Sequence, residues 1–183
     1  GDEYGVPIDE GAAMGELVHD IAPAADIAFY TAFISEADFA NGITQLSTVA
    51  NCSVVVDDVY YYFEPVYQDG LIAQAAANCV ARGVPYFSSA GNDSNRALRQ
   101  KYVDIEPRRR DSARRRTGSD LHNWGSGNTW LPVTMPPGAV FLGILNWNQP
   151  WESLNARAGA KIDMDIYLTP TPDVAGLENP LSA

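Results

Sequence analysis

The sequence predicts an α/β fold, a parallel sheet with helices on both faces, followed by a small antiparallel β-sandwich. Three observations carry this. Helix and strand patterns alternate from residue 10 to residue 92. Nine of the 12 basic residues crowd between Arg96 and Arg116. Beyond residue 118 the helix patterns stop, and Gly and Pro separate short strand-like runs. The organisation expected is an α/β domain over 1–97, an Arg-rich linker over 98–117 and a β-sandwich over 118–183.

The first helix is expected in EGAAMGELVHDIAP, residues 10 to 23, where Met14, Leu17, Val18 and Ile21 recur at helical spacing. Counting back four residues puts Glu10 on the same stripe, in the first turn. An inward carboxylate there is paired, neutralised or put to use. The plainer reading makes Glu10 a favourable first-turn acid behind an Asp9 N-cap. Ile27 to Phe33 is apolar on both faces, as a buried parallel strand is. Ser35 then caps a second helix, with Asp38 three residues on and Phe39, Ile43, Leu46 and Val49 as its stripe. Val54 to Val56 is the second strand. Asp69 and Gly70 start a third helix with Ile72, Ala76, Cys79 and Val80 inward, which Gly83 ends. Val84 to Ser88 is the third strand.

Alternation with short connections implies right-handed crossovers and a parallel sheet. Strand C-termini and helix N-termini then share one edge, where sites form. Topology thus brings Glu10, Asp57, Asp58 and the turn Ala90 to Asp93 to that edge. In the second half, the expected strands are Thr129 to Met135, Ala139 to Trp147 and Ile162 to Leu168. In the last, Ile162, Met164, Ile166 and Leu168 alternate with Asp163, Asp165 and Tyr167, the pattern of a half-exposed antiparallel strand.

Composition narrows the function. With 46% hydrophobic residues the chain can build a core, and no apolar run is long enough to span a membrane. A net charge of −11 argues against a nucleic-acid partner. No Gly-rich phosphate loop follows a strand, so no nucleotide cofactor is expected, and no other cofactor is called for. The Arg-rich block reads as a solvated linker. Two cysteines without a His or Cys cluster make no metal site. Helix–strand packing brings Cys52 and Cys79 to one edge of the layer, so a disulfide and two buried free thiols both fit.

Three stretches together resemble part of a subtilisin/sedolisin-type serine peptidase. EGAAMGELVHDIAPAADIAFYTAF is similar to the segment carrying that family's second catalytic residue. SVVVDDV, residues 53 to 59, resembles the strand whose end lines the S1 cleft. GVPYFSSAGND, residues 83 to 93, resembles the strand and turn of the oxyanion hole and is the most specific of the three. The resemblance covers about residues 1 to 97, the middle of such a catalytic domain. The β-rich half is similar, more weakly, to modules inserted in or appended to secreted bacterial peptidases.

The resemblance implies an incomplete, subtilisin-like domain of a secreted or cell-envelope endopeptidase that acts on polypeptides. Its partner would be the rest of its own catalytic domain. Glu10 takes the place of the subtilisin His, where sedolisins use Glu as the base. Asn92 takes the place of the oxyanion-hole Asn, and Ser88, Ser89, Ala90 and Gly91 contribute to substrate binding. Sedolisins carry an Asp four residues after that Glu, whereas this chain has Met14. Asp58 at the strand end is therefore the candidate to orient Glu10, with Asp57 facing the opposite way. No Gly-Thr-Ser motif is present, so the nucleophilic serine is expected beyond Ala183. His19, nine residues after Glu10, lies half a turn out of phase and is not expected in a triad. His122 has no partner at metal-ligand spacing. The competing expectation is a non-catalytic peptidase-like scaffold whose β-sandwich binds a surface polymer.

Overall fold

A computed structural model describes residues 9–93, 96–105, 121–155 and 158–172. The elements run α1 (Glu10–Ile21), α2 (Glu36–Thr48), β1 (Val55–Asp57), α3 (Leu71–Ala81) and β2 (Tyr86–Ser88). β1 and β2 pair in parallel, Val55 with Tyr86, Val56 with Phe87 and Asp57 with Ser88. Because the strands are parallel, α3 is the crossover between them.

The packing follows from the side-chain phase of each element. Ser35 caps α2 as its sequence position predicts, its Oγ accepting from Asp38 N at 3.1 Å. α2 turns Phe39 and Ile43 inward, α3 turns Ile72, Ala75 and Cys79 inward, and β1 contributes Val55. α2 lies against β1, α3 against β2, and the two helices pack on each other. Each such buried aliphatic or aromatic side chain contributes about 1.5–3 kcal/mol. A hydrogen bond from Arg82 Nη2 to Ser47 Oγ, 2.9 Å, ties the C-terminus of α3 to α2. Gly83 then takes φ +87°, the left-handed turn that stops α3 and feeds β2. The two cysteines are free: Cys79 is fully buried and Cys52 packs against the same core.

Several elements differ from the pattern read in the sequence. Val80, expected inward, is 54% exposed, because the face of α3 that meets α2 runs through Ile72, Ala75 and Cys79. Among the described residues, α2 and α3 lie on the Val55 side of the strand pair, and Val56 and its register partner Phe87 are exposed. α1 forms as expected but buries none of its residues, and it packs on none of the other named elements. Its contact is local, through Gly11 against the ring of Phe29. The run Ile27 to Phe33 lies outside any ladder and bends at Ala32 and Phe33, with Ile27 and Phe29 exposed. Apolar character selects a buried strand only where a neighbouring strand supplies the hydrogen bonds.

By contact density the chain divides into two compact units, Gly1–Asn92 with Asn146–Asp163, and Asp93–Leu145 with Met164–Ala183. Residues 146–163 group with the helical unit. In that unit Gln68 Oε1 accepts from Trp151 N at 2.5 Å, and Gln149 Oε1 accepts from Lys161 N and Ile162 N. In the second unit an isolated antiparallel bridge joins Asp104 and His122, and another joins Gly125 and Asn128. Among the described residues, the runs expected as strands at 129–135, 139–147 and 162–168 form no extended ladder. Of the Arg-rich segment 98–117, residues 106–117 lie outside the described residues. Among the described residues, no helix is long and apolar enough to cross a membrane.

Candidate functional site

The parallel register brings two polar strand ends side by side. β1 ends in Asp57, β2 ends in Ser88, and the two are register partners. Ser88 Oγ donates to Asp57 Oδ1 at 2.8 Å, and the Tyr86 hydroxyl donates to Asp57 Oδ2. Val59 N approaches Oδ1 at 3.4 Å, and Ser89 N donates to the Asp57 carbonyl at 3.2 Å. Asp57 therefore binds the end of β2 through both backbone and carboxylate. Burial, followed by the bond to Asp57, holds the Tyr86 phenol well above its ordinary pKa.

β2 runs on into Ser89, Ala90, Gly91 and Asn92. Gly91 takes φ +74°, a turn that a side chain would strain, and Ser88 to Asn92 are all exposed. The predicted substrate-binding residues and Asn92 thus follow one another along one exposed strand exit. Asp58 is exposed beside them. Its neighbour Asp57, not Asp58, carries the hydrogen bonds to β2. The phase of β1 decides this: Val55 faces the helices, so Asp57, two residues on, shares that side with Tyr86. The run of three valines, Val54 to Val56, left that phase unmarked in the sequence.

Glu10 is the first residue of α1 and is exposed. Among the described residues, α1 makes no contact with β1 or β2. His19 is exposed on the same helix. His122, in the second unit, is held by its own neighbours. Its Nδ1 accepts from Val103 N at 3.2 Å, its Nε2 meets Gln100 Oε1 at 3.1 Å, and Tyr102 and Trp124 pack on the ring.

An open cleft of about 570 Å³ is formed by the connection from β1 to α3 and the first turn of α3, lined by Tyr61, Glu64, Pro65, Tyr67, Asp69 and Ala73 among others. Tyr61 packs on Phe39 with ring centroids 5.6 Å apart and donates its hydroxyl to the Ala32 carbonyl. Burial, then the charges of Glu36 and Asp38, raise its pKa. Glu64 Oε1 accepts from Ala73 N in the first turn of α3 at 3.3 Å. Burial raises the Glu64 pKa, the Ala73 bond lowers it in part, and the charges of Glu36 and Asp57 add to the rise. Among the described residues no group of three or more His, Cys, Asp or Glu side chains is placed to hold a metal.

No protein-family model matches the chain, and neither a curated protein nor a solved structure matches it.

Proposed function

We propose that the chain is part of a secreted serine endopeptidase of the subtilisin/sedolisin type, a hydrolase of peptide bonds. In this reading Glu10 is the base and the Asn92 side chain donates to the oxyanion. The nucleophilic serine comes from outside residues 1–183, as the missing Gly-Thr-Ser motif requires. One observation carries the reading: a parallel strand pair that leads directly into Ser88, Ser89, Ala90, Gly91 and Asn92 on an exposed edge. A peptide laid along that edge would meet the strand ends, and the amide of Asn92 would meet charge developing on its carbonyl oxygen.

The test has two parts. The 183-residue chain alone is expected to leave casein intact. The full-length protein is expected to cleave it. There Glu10→Gln lowers turnover by orders of magnitude and His19→Ala leaves it unchanged. Asn92→Ala lowers it by about 10²–10³, a magnitude taken from subtilisin itself. A full-length protein without turnover, indifferent to Glu10→Gln, is instead the non-catalytic scaffold that binds a surface polymer.

A further inference from the structure

We propose that Asp57 is a positioning residue that fixes the Ser88 hydroxyl as a hydrogen-bond acceptor for a backbone N–H of a bound peptide. The role in substrate binding rests on the peptidase reading; the fixing of the hydroxyl does not.

A carboxylate accepts and does not donate, so in the 2.8 Å contact between Ser88 Oγ and Asp57 Oδ1 the serine gives the proton. The carboxylate is itself held on both oxygens, by Tyr86 on Oδ2 and by Val59 N with Ser88 on Oδ1. The backbone bond from Ser89 N to the Asp57 carbonyl fixes the strand spacing. A serine hydroxyl has one proton and two acceptor sites. Its proton is committed inward, so an exposed Ser88 offers incoming groups acceptor sites alone. A peptide backbone supplies the complementary group, an N–H. The plainer role, closing the end of the strand pair, needs the same bonds but assigns nothing to the lone pairs of Ser88.

Substitution separates these roles. Asp57→Asn keeps the shape and replaces one acceptor oxygen by an amide that donates. Ser88 is then free to accept from that amide and to turn its own proton outward. In the 183-residue chain, tyrosine ring NMR against pH should show the Tyr86 phenol ionising at lower pH in Asp57→Asn. An unchanged Tyr86 titration overturns the network itself. In the full-length protein, paired peptide and depsipeptide substrates are compared, the latter with one backbone N–H replaced by oxygen at successive positions flanking the scissile bond. At one position the replacement should lower kcat/KM about threefold to tenfold, the worth of one hydrogen bond, and it should do so through KM. In Ser88→Ala that penalty should vanish and in Asp57→Asn it should shrink, whereas a purely structural role would lower both substrates equally. A penalty that survives in Ser88→Ala overturns the acceptor role. A full-length protein that binds no peptide removes the peptidase reading and the substrate role with it, while the Tyr86 result still decides what Asp57 does to its neighbours.

Discussion

α1 and α2 are near twins in sequence pattern and opposites in packing. Both carry an apolar stripe at helical spacing over 12 or 13 residues, behind a side chain able to cap. α2 uses its cap and buries Phe39, Gly42, Ile43 and Ser47. α1 makes no side-chain cap bond and leaves Leu17 66% and Ile21 87% exposed. The difference lies in what each helix can reach. α2 lies against β1 and α3, which a parallel crossover brings back upon it, whereas α1, among the described residues, packs on no other named element. Helical periodicity identifies the inward face; whether there is an inside belongs to the rest of the fold.

The sharpest way to break this contrast is to cut the same residue type from each stripe. Ile43 is 2% exposed, so Ile43→Ala loses its transfer free energy and leaves a cavity, costing about 2–5 kcal/mol. Ile21→Ala on the exposed stripe is expected to change stability by no more than about 0.5 kcal/mol. Urea unfolding of the two variants checks this. A loss above 2 kcal/mol at Ile21 would mean that α1 is covered in solution, and the contrast would fail.

Much of the α2–β2 region was legible in the sequence because its determinants are local. The Ser35 cap needs only Ser35 and the amide of Asp38, and Gly83 stops α3 by its own left-handed backbone. Parallel pairing followed from the spacing of two short strands about one helix. What the sequence withheld depends on distant partners. Ile27 to Phe33 has strand composition but lies in no ladder. The alternation of Ile162 to Leu168 states which face a sheet would bury and says nothing of a partner strand. At the site, topology put the Asp57–Asp58 pair on the edge where β2 ends, and the register pairs Asp57 with Ser88 there. Choosing between the two aspartates required the phase of Val55, and the place of Glu10 required a packing partner for α1.

A second pair of variants tests packing with an opposite expected sign. A methyl added at Gly42 would strike the Tyr30 ring, and that ring is pinned by its hydroxyl to Asp38 Oδ1 at 3.1 Å. Overpacking costs about 1–3 kcal/mol against a helix gain of about 1 for Gly→Ala, so Gly42→Ala should lose up to about 2 kcal/mol. At Gly11 the added methyl meets Phe29 Cε2 at 2.6 Å, but Phe29 is 73% exposed and its ring can swing into solvent. Gly11→Ala should therefore be neutral or gain up to about 1 kcal/mol. Thermal unfolding distinguishes them, and equal losses at both glycines would show that Phe29 is as fixed as Tyr30.

The smallest expected effect is a cost carried by the packed region. Burial raises the Glu64 pKa above its ordinary 4.5, so in the window from that value up to the raised one the folded chain holds more protons than the unfolded chain. Stability then falls as pH rises through the window, and the loss persists at neutral pH. Glu64→Gln keeps an oxygen for the Ala73 N–H, bonded at 3.3 Å in the parent, and removes the charge. The variant should melt at or above the parent temperature near neutrality, with the advantage fading as pH drops below the ordinary glutamate value. The sign comes from burial outweighing the bond to Ala73. Melting temperatures of both proteins from about pH 3 to pH 8 measure it. If Glu64→Gln instead melts lower at neutral pH, the charged carboxylate at the start of α3 stabilises that helix end by more than its burial costs.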